Sequence, residues 1–313
     1  MFDKVLITGG NGNLGRLVAE LFEACGTRVV SVDLPGTEGP HSAARDAVIA
    51  ADIRDTPKIE AVIREHEPQA ILHLASLLSG SSEANPERAW QVNATASIDL
   101  MRVAAAQTDG PFVFASTIAT YGPGLPDPLP PDAPQWPENI YGATKVAVER
   151  MGVYLKRKHG FDFRCLRFPM VLSPFAPPGA VTAYPSHAFR AAIESGRFTF
   201  PVSPDTGMSN LFLDDVVDSL LAITVAERAR LTEPAYNLHG YYVSAREIAE
   251  TLETRVQGFE ARFEPDPVVD DLVRLWPDRI DSAAAKTDWD WTPRFDFSTS
   301  AEALLDRIGR DSR

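Results

Sequence analysis

Residues 4–15 read KVLITGGNGNLG: a strand-length apolar run that enters at once a loop in which four of seven residues are glycine. Gly10, Gly12 and Gly15 give a GxGxxG spacing, and Gly9, Gly12 and Gly15 give GxxGxxG. Both predict the same physics. Glycines permit positive φ and close backbone approach, and the N-terminus of the following helix offers free N–H groups and a positive dipole to a pyrophosphate. Asn13 and Leu14, which open that helix, are placed beside the same group. A glycine loop between a first strand and a first helix opens a dinucleotide-binding sheet, so this stretch decides the fold.

Further along, short apolar runs alternate with longer amphipathic ones: RVVSVD (28–33), AVIA (47–50), AILHL (70–74), FVFAS (112–116) and FRCLRF (163–168). Helical patterns lie near 13–25, 56–66, 86–107 and 141–158. Strands apolar on both faces and separated by helices predict an α/β chain with a doubly wound parallel sheet, the Rossmann arrangement. The rhythm breaks near residue 170, where SPFAPPGA clusters proline and glycine. The expected division is a nucleotide-binding domain over 1–170, rejoined by 210–238, and a smaller substrate-binding lobe from 171–209 and 239–313. The proline-rich connector 122–139 is too long for a routine link and is expected to wall the active site.

Composition narrows the partners. The chain has 313 residues, 44% of them hydrophobic, enough for a substantial core. Forty-three acidic against 30 basic residues, a formal −13, repel a nucleic-acid backbone and an anionic membrane surface alike. The start, MFDKVLIT, has no basic n-region or long apolar h-region, and no stretch has the length of a membrane span. Cys25 and Cys165 stand far apart and outside any metal-ligand spacing. A cytoplasmic protein with a small-molecule substrate and no metal is expected.

At the nucleotide end, Asp33 closes the second strand eighteen residues past Gly15, where an acid accepts hydrogen bonds from the adenosine ribose and repels a 2′-phosphate. NAD is therefore favoured over NADP. Asp52 and Ile53 fall where an adenine would rest, and Leu74 with the small Ala75 ends the fourth strand and leaves room for a cofactor to pass.

At the other end, FASTIATYG puts Ser116 and Thr117 at the C-terminal edge of the fifth strand, where doubly wound sheets bind ligands. Then comes NIYGATK (139–145), which sets Tyr141 and Lys145 one helical turn apart. The spacing alone decides nothing, because YLKRK repeats it at Tyr154 and Lys158. The chemistry does. A free tyrosine, with pKa about 10, must drop about 3 units, roughly 4 kcal/mol, to act as a base at neutral pH. An ammonium about 5 Å away supplies roughly 3 kcal/mol at an effective dielectric of 20.

TGxxGxxG, a strand ending in Ser-Thr followed by YG, and YxxxK together resemble the extended short-chain dehydrogenase/reductase family. The resemblance implies that Thr117 hydrogen-bonds the reacting oxygen, that Tyr141 and Lys145 are the catalytic pair, and that Lys145 also holds the nicotinamide ribose. Tyr154 and Lys158 match nothing. The stretches 73–93, 141–169 and 275–297 are similar to a narrower group, the short-chain L-threonine 3-dehydrogenases. This implies that Ser79 and Trp276 face the substrate, that Asn93 and Phe168 lie near the cofactor, and that a homodimer forms through a four-helix interface. Two departures bear on the substrate. PPGAVTAYPS (177–186) carries Ala183 where that group has an acid, leaving Thr182 and Tyr184 as polar contacts, and DTGMSNLFLDD has Gly207 and Ser209 where it has a basic residue and Leu-Pro.

The function expected is NAD-dependent oxidation of the secondary alcohol of a small polar substrate, L-threonine-like or a related hydroxy or sugar acid, with a tyrosine base. A sugar-nucleotide epimerase using the same residues is the alternative. Dehydratase chemistry would place an Asp-Glu pair after the threonine, where this chain has Ile118 and Ala119. A non-catalytic NAD sensor would need no base.

Overall fold

The computed structural model describes residues 2–37, 45–177 and 180–311. The first half runs β1 (Lys4–Thr8), α1 (Asn13–Ala24), β2 (Arg28–Asp33), β3 (Ala47–Ala50), α2 (Thr56–His66) and β4 (Ala70–His73). It continues through α3 (Ser79–Ala84), α4 (Pro86–Ala89), α5 (Ser97–Gln107), β5 (Phe112–Thr117), α6 (Ile140–His159) and β6 (Phe163–Phe168). Then follow β7 (Met170–Leu172), α7 (Tyr184–Glu194), β8 (Arg197–Phe200), β9 (Gly207–Phe212), α8 (Leu213–Val225) and β10 (Ala235–Asn237). The chain closes with β11 (Tyr241–Ser244), α9 (Ala245–Arg255), β12 (Glu260–Phe263), α10 (Pro267–Arg274), α11 (Ala283–Trp289) and α12 (Phe297–Asp311).

Seven strands pair in parallel in the order β10-β6-β5-β4-β1-β2-β3. The apolar strands explain why both faces are covered. Val5, Ile7, Val29 and Leu72 pack with Val18 and Phe22 of α1 and Val216 and Leu220 of α8. Leu6, Val30, Ile71 and Phe114 pack on the other face with Ile59 and Ile63 of α2, Leu100 of α5 and Val148 of α6. The strand order reverses between β1 and β4, so the carboxyl ends of these two open the crevice where such sheets take a ligand.

A second, three-stranded sheet, β11-β9-β7, and a strand pair, β12-β8, surround another core built on Phe189, Phe200, Phe212, Ile248 and Leu304. Two boundaries differ from the sequence expectation. Strand β9, whose end opens the stretch 210–238, lies in the small sheet, while α8 and β10 cover and extend the main one. Ala285, Trp289 and Trp291, expected in the small lobe, pack instead into the main-sheet core, where Asp288 accepts a hydrogen bond from Tyr236 at 2.6 Å. The helix expected over 86–107 is interrupted by a π-helical segment, Trp90–Ala96, between α4 and α5. The connector 122–139 is pinned: Leu129 exchanges backbone hydrogen bonds of 2.9 Å with Arg279 and Asp281, and Tyr121, Leu129, Ala133 and Ile280 form a small apolar cluster. No described helix is long and apolar enough to cross a membrane, and no group of three or more His, Cys, Asp or Glu among the described residues is arranged to hold a metal ion.

His73 ties this frame together beneath the switch point. Its ring is fully buried, with Nδ1 2.6 Å from Thr8 Oγ1 and Nε2 2.7 Å from Ser97 Oγ. Burial, with a smaller push from the Lys145 ammonium, takes the imidazole down to about 3. The folded chain keeps it neutral while the unfolded chain protonates it below about 6.5, so stability falls as pH drops through 6.5 towards 3, by up to about 1.4 kcal/mol per pH unit from this site. Unfolding free energies from urea titrations between pH 7 and pH 5 are expected to decline towards that slope. His73→Gln, which cannot titrate, is expected to remove this component.

Candidate functional site

The glycine loop is shaped by close approach. Gly9 has φ +71°, and a Cβ there would sit 2.7 Å from Ala75 N; one on Gly15 would strike the Gly9 carbonyl. A Cβ on Gly12 would meet only Gly9 O, at 3.3 Å, and would otherwise project into the cleft. That room suits a pyrophosphate against the free N–H groups of α1. Asp33 accepts the backbone N–H of Asn11 through Oδ2 (3.0 Å) and that of Leu34 through Oδ1 (2.8 Å), which fixes the carboxylate with lone pairs to spare. The cleft, about 220 Å³, is lined by Gly9, Gly12, Asp33, Asp52, Ile53, Leu74 and Ala75 as expected, and also by Leu34, Ala51, Arg54, Ser76, Leu77, Arg88 and Val92. These residues fit a dinucleotide.

Other expected cofactor residues take different places. Asn13 and Leu14 open α1. Asn93 is buried in the π-helical segment; its Oδ1 accepts the Leu77 N–H (2.8 Å) and its Nδ2 donates to the Leu77 carbonyl (2.9 Å). Asn93 therefore acts on the cleft by fixing the backbone of Leu77. Phe168 is buried in the core under the main sheet. Asp52 is engaged by the Arg54 guanidinium, at 2.6 Å, which holds its carboxyl below the usual range.

The chemical end is assembled by the N-terminus of α6. Asn139 Oδ1 accepts the Gly142 N–H (2.7 Å), and Glu83 Oε1 accepts that of Ile140 (2.9 Å). Gly142 has no room for a Cβ beside the Ala119 carbonyl, so the helix starts directly on the 3₁₀ turn Ile118–Thr120 that follows Thr117. Thr117 Oγ1 accepts the Ala119 N–H at 3.1 Å. Lys145 is buried, and its Nζ donates to the Ala115 carbonyl at 2.8 Å. The ammonium lies 5.5 Å from the centroid of the Tyr141 ring and 4.7 Å from that of Phe114. Tyr154, by contrast, is 53% exposed.

The electrostatics depart from the simple pairing argument. Burial pushes the Tyr141 phenol up to about 12 and pulls Lys145 down to about 8, with Cys165 and Glu149 acting against the latter shift. Desolvation dominates both shifts in the free chain.

Sequence reasoning missed the layer beneath. Glu149, fully buried four residues after Lys145, accepts hydrogen bonds from Ser116 Oγ (2.5 Å) and Gln135 Nε2 (3.0 Å) and pairs with Arg167 at 2.7 Å. Arg167 in turn donates to Tyr121 Oη (2.6 Å) and to the Pro131 carbonyl (2.9 Å), while Tyr121 donates to Asn237 Oδ1 (2.9 Å). The available signal was the spacing Tyr141, Lys145, Glu149, a stripe of three at successive helical turns.

On the substrate side, Ser79 is exposed at the start of α3 and Thr182 is half-buried in the turn Val181–Ala183; neither side chain has a hydrogen-bond partner among the described residues. Ala183, in the place of an acid, is buried. Trp276 packs half-buried on the small-lobe core.

Three comparisons bear on this site. A bovine mitochondrial L-threonine 3-dehydrogenase is 32% identical over 99% of this chain and 84% of its own length. The structure of L-threonine dehydrogenase from Clostridium difficile superposes with a TM-score of 0.91, at 28% identity, over 99% of this chain and 98% of that one. A monomeric L-threonine 3-dehydrogenase from a metagenome gives 0.88 at 29% identity, over 99% and 100%. That neighbour's monomeric state leaves the expected homodimer without its support. The family model for NAD-dependent epimerases/dehydratases matches residues 5–238, and with the glycine cleft and the residues gathered at Thr117 it identifies the chain as an NAD-using member of that family, among the extended short-chain dehydrogenases/reductases.

Proposed function

We propose that the chain oxidises the secondary alcohol of a small polar acid, L-threonine or a related hydroxy acid, by hydride transfer to NAD with Tyr141 as the base. The observation that supports this most is the convergence of Thr117, Tyr141 and Lys145 at the carboxyl edge of β5, one strand from the crevice between β4 and β1. NAD, when bound, supplies the hydride acceptor.

The protein's own groups divide the remaining work. Tyr141 takes the hydroxyl proton. Thr117, whose Oγ1 already accepts the Ala119 N–H, keeps its O–H free to donate to the developing alkoxide. Lys145, held by Ala115, keeps a positive charge beside the phenol below about pH 8. Lowering Tyr141 from about 12 to 7 requires about 7 kcal/mol. The ammonium, 5.5 Å from the ring centroid, is already in place at that value, so this drop falls to the groups that the loaded site brings. Tyr141 is thus a protonated phenol in the free chain and is primed only when the site is loaded. The L-threonine activity in the names of the relatives supports an amino-acid substrate, whereas Ala183 removes the acid expected near an ammonium and widens the reading to hydroxy acids.

The test supplies NAD with L-threonine, hydroxy acids and sugar acids and follows NADH absorbance. Stoichiometric NADH with at least one of them is expected; silence across the panel, with interconversion of a UDP-sugar and no net NADH, would overturn the proposal in favour of epimerisation. Tyr141→Phe is expected to lose about 10³-fold in turnover with little change in NAD affinity. Asp33→Ala removes the acceptor facing the cleft; it is expected to weaken NAD about tenfold by calorimetry and to let NADP bind comparably.

A further inference from the structure

Strand β10 is the edge of the main sheet, beside β6. Its register sets Ser116, Arg167 and Asn237 in one row across β5, β6 and β10, and the Leu238 N–H continues to the Arg167 carbonyl at 3.1 Å. Thr117 and His239 therefore leave the sheet at the same carboxyl edge, two strands or about 10 Å apart. His239 is on the side of Thr117 away from the cofactor crevice.

Strand β9 supplies its partner. Met208 and Phe212 face the small-lobe core, whereas Leu211 faces the core under the main sheet. Ser209, alternating with them, shares the face of Leu211 and looks toward the main domain. It is 1% exposed, and its Oγ lies 2.7 Å from His239 Nδ1. No other group among the described residues bonds that hydroxyl, so its proton goes to Nδ1 and the ring carries its own hydrogen on Nε2. His239 is half-buried, and Nε2 has no hydrogen-bond partner among the described residues. The charged groups felt by the ring are Asp127 and Arg279, which pair with each other at 3.4 Å. Its Nε2–H is thus a donor left free among the described residues.

We propose that Ser209 and His239 form the carboxylate end of the substrate site: Ser209 fixes the imidazole through Nδ1, and Nε2–H donates to the carboxylate of a three- or four-carbon hydroxy or amino acid whose alcohol lies at Thr117 and Tyr141. This rests on the dehydrogenase reading above. The backbone spacing of about 10 Å between the two chain ends leaves room for a small acid hydrogen-bonded at both. A full negative charge makes the bond roughly twice as strong as one to a neutral oxygen, so the pair selects acids over alcohols.

The test records imidazole ¹⁵N–¹H correlations of the NADH-saturated full chain, with His239→Gln assigning the His239 signals. The Nε2–H tautomer is expected. Adding L-threonine or D-glycerate is expected to shift the Nε2 resonance, while threoninol and glycerol leave it in place. In calorimetry the better-binding acid is expected to weaken about tenfold in His239→Leu, with NADH affinity unchanged. No response of Nε2 to either acid, an equal response to the alcohols, or unaltered acid binding by His239→Leu would each overturn the assignment. A full Nε2 response without any turnover of these acids would instead strike the dehydrogenase reading and leave the subsite standing.

Discussion

The arrangement at the chemical end depends on one buried ion pair, Glu149 with Arg167, whose side chains are 0% and 4% exposed. Taking both charges out of water costs several kcal/mol each, and such a pair persists only where further hydrogen bonds satisfy both ions. Here they do. The carboxylate collects Ser116 and Gln135, and the guanidinium collects Tyr121 and the Pro131 carbonyl. Through these partners α6, the ends of β5, β6 and β10, and the proline-rich connector are fastened at one point. Thr117 follows Ser116 directly, and Lys145 lies one turn from Glu149 on the same helix face, so the placement of both side chains is inherited from the pair beneath them.

The same pair sets the charge balance. Lys145 is desolvated, and Glu149 is among the groups that resist the resulting loss of its proton. His73, on β4, is kept neutral by burial and, to a smaller degree, by the ammonium itself. Burial also keeps the phenol of Tyr141, one turn before Lys145, protonated in the free chain.

How much of this was readable in the sequence follows from the range of each constraint. The glycine loop was legible because a tight turn dictates residue type within a few positions, and the place of Asp33 in the cleft because it closes the strand beside that turn. Tyr141 and Lys145 were legible through helical spacing and through the strand that ends at Thr117. The Glu149–Arg167 pair was not, because its members meet only when β6 takes its register against β5. The placement of Trp289 and Trp291 on the main core, and of β9 in the small sheet, likewise depends on which faces remain to be covered once the seven-stranded sheet has formed. The raised phenol of Tyr141 escaped the pairwise charge argument because burial is set by tertiary structure.

The central claim is net hydride removal from a carbinol carbon, and isotope transfer tests it most directly. L-threonine and small hydroxy acids carrying deuterium on the carbinol carbon are given to the protein with NAD, and the released dinucleotide is weighed by mass spectrometry. The account predicts deuterated NADH in step with oxidised product from at least one acid. Deuterium that never appears in released NADH from any of them, while a deuterated UDP-sugar is epimerised and keeps its label, would contradict it.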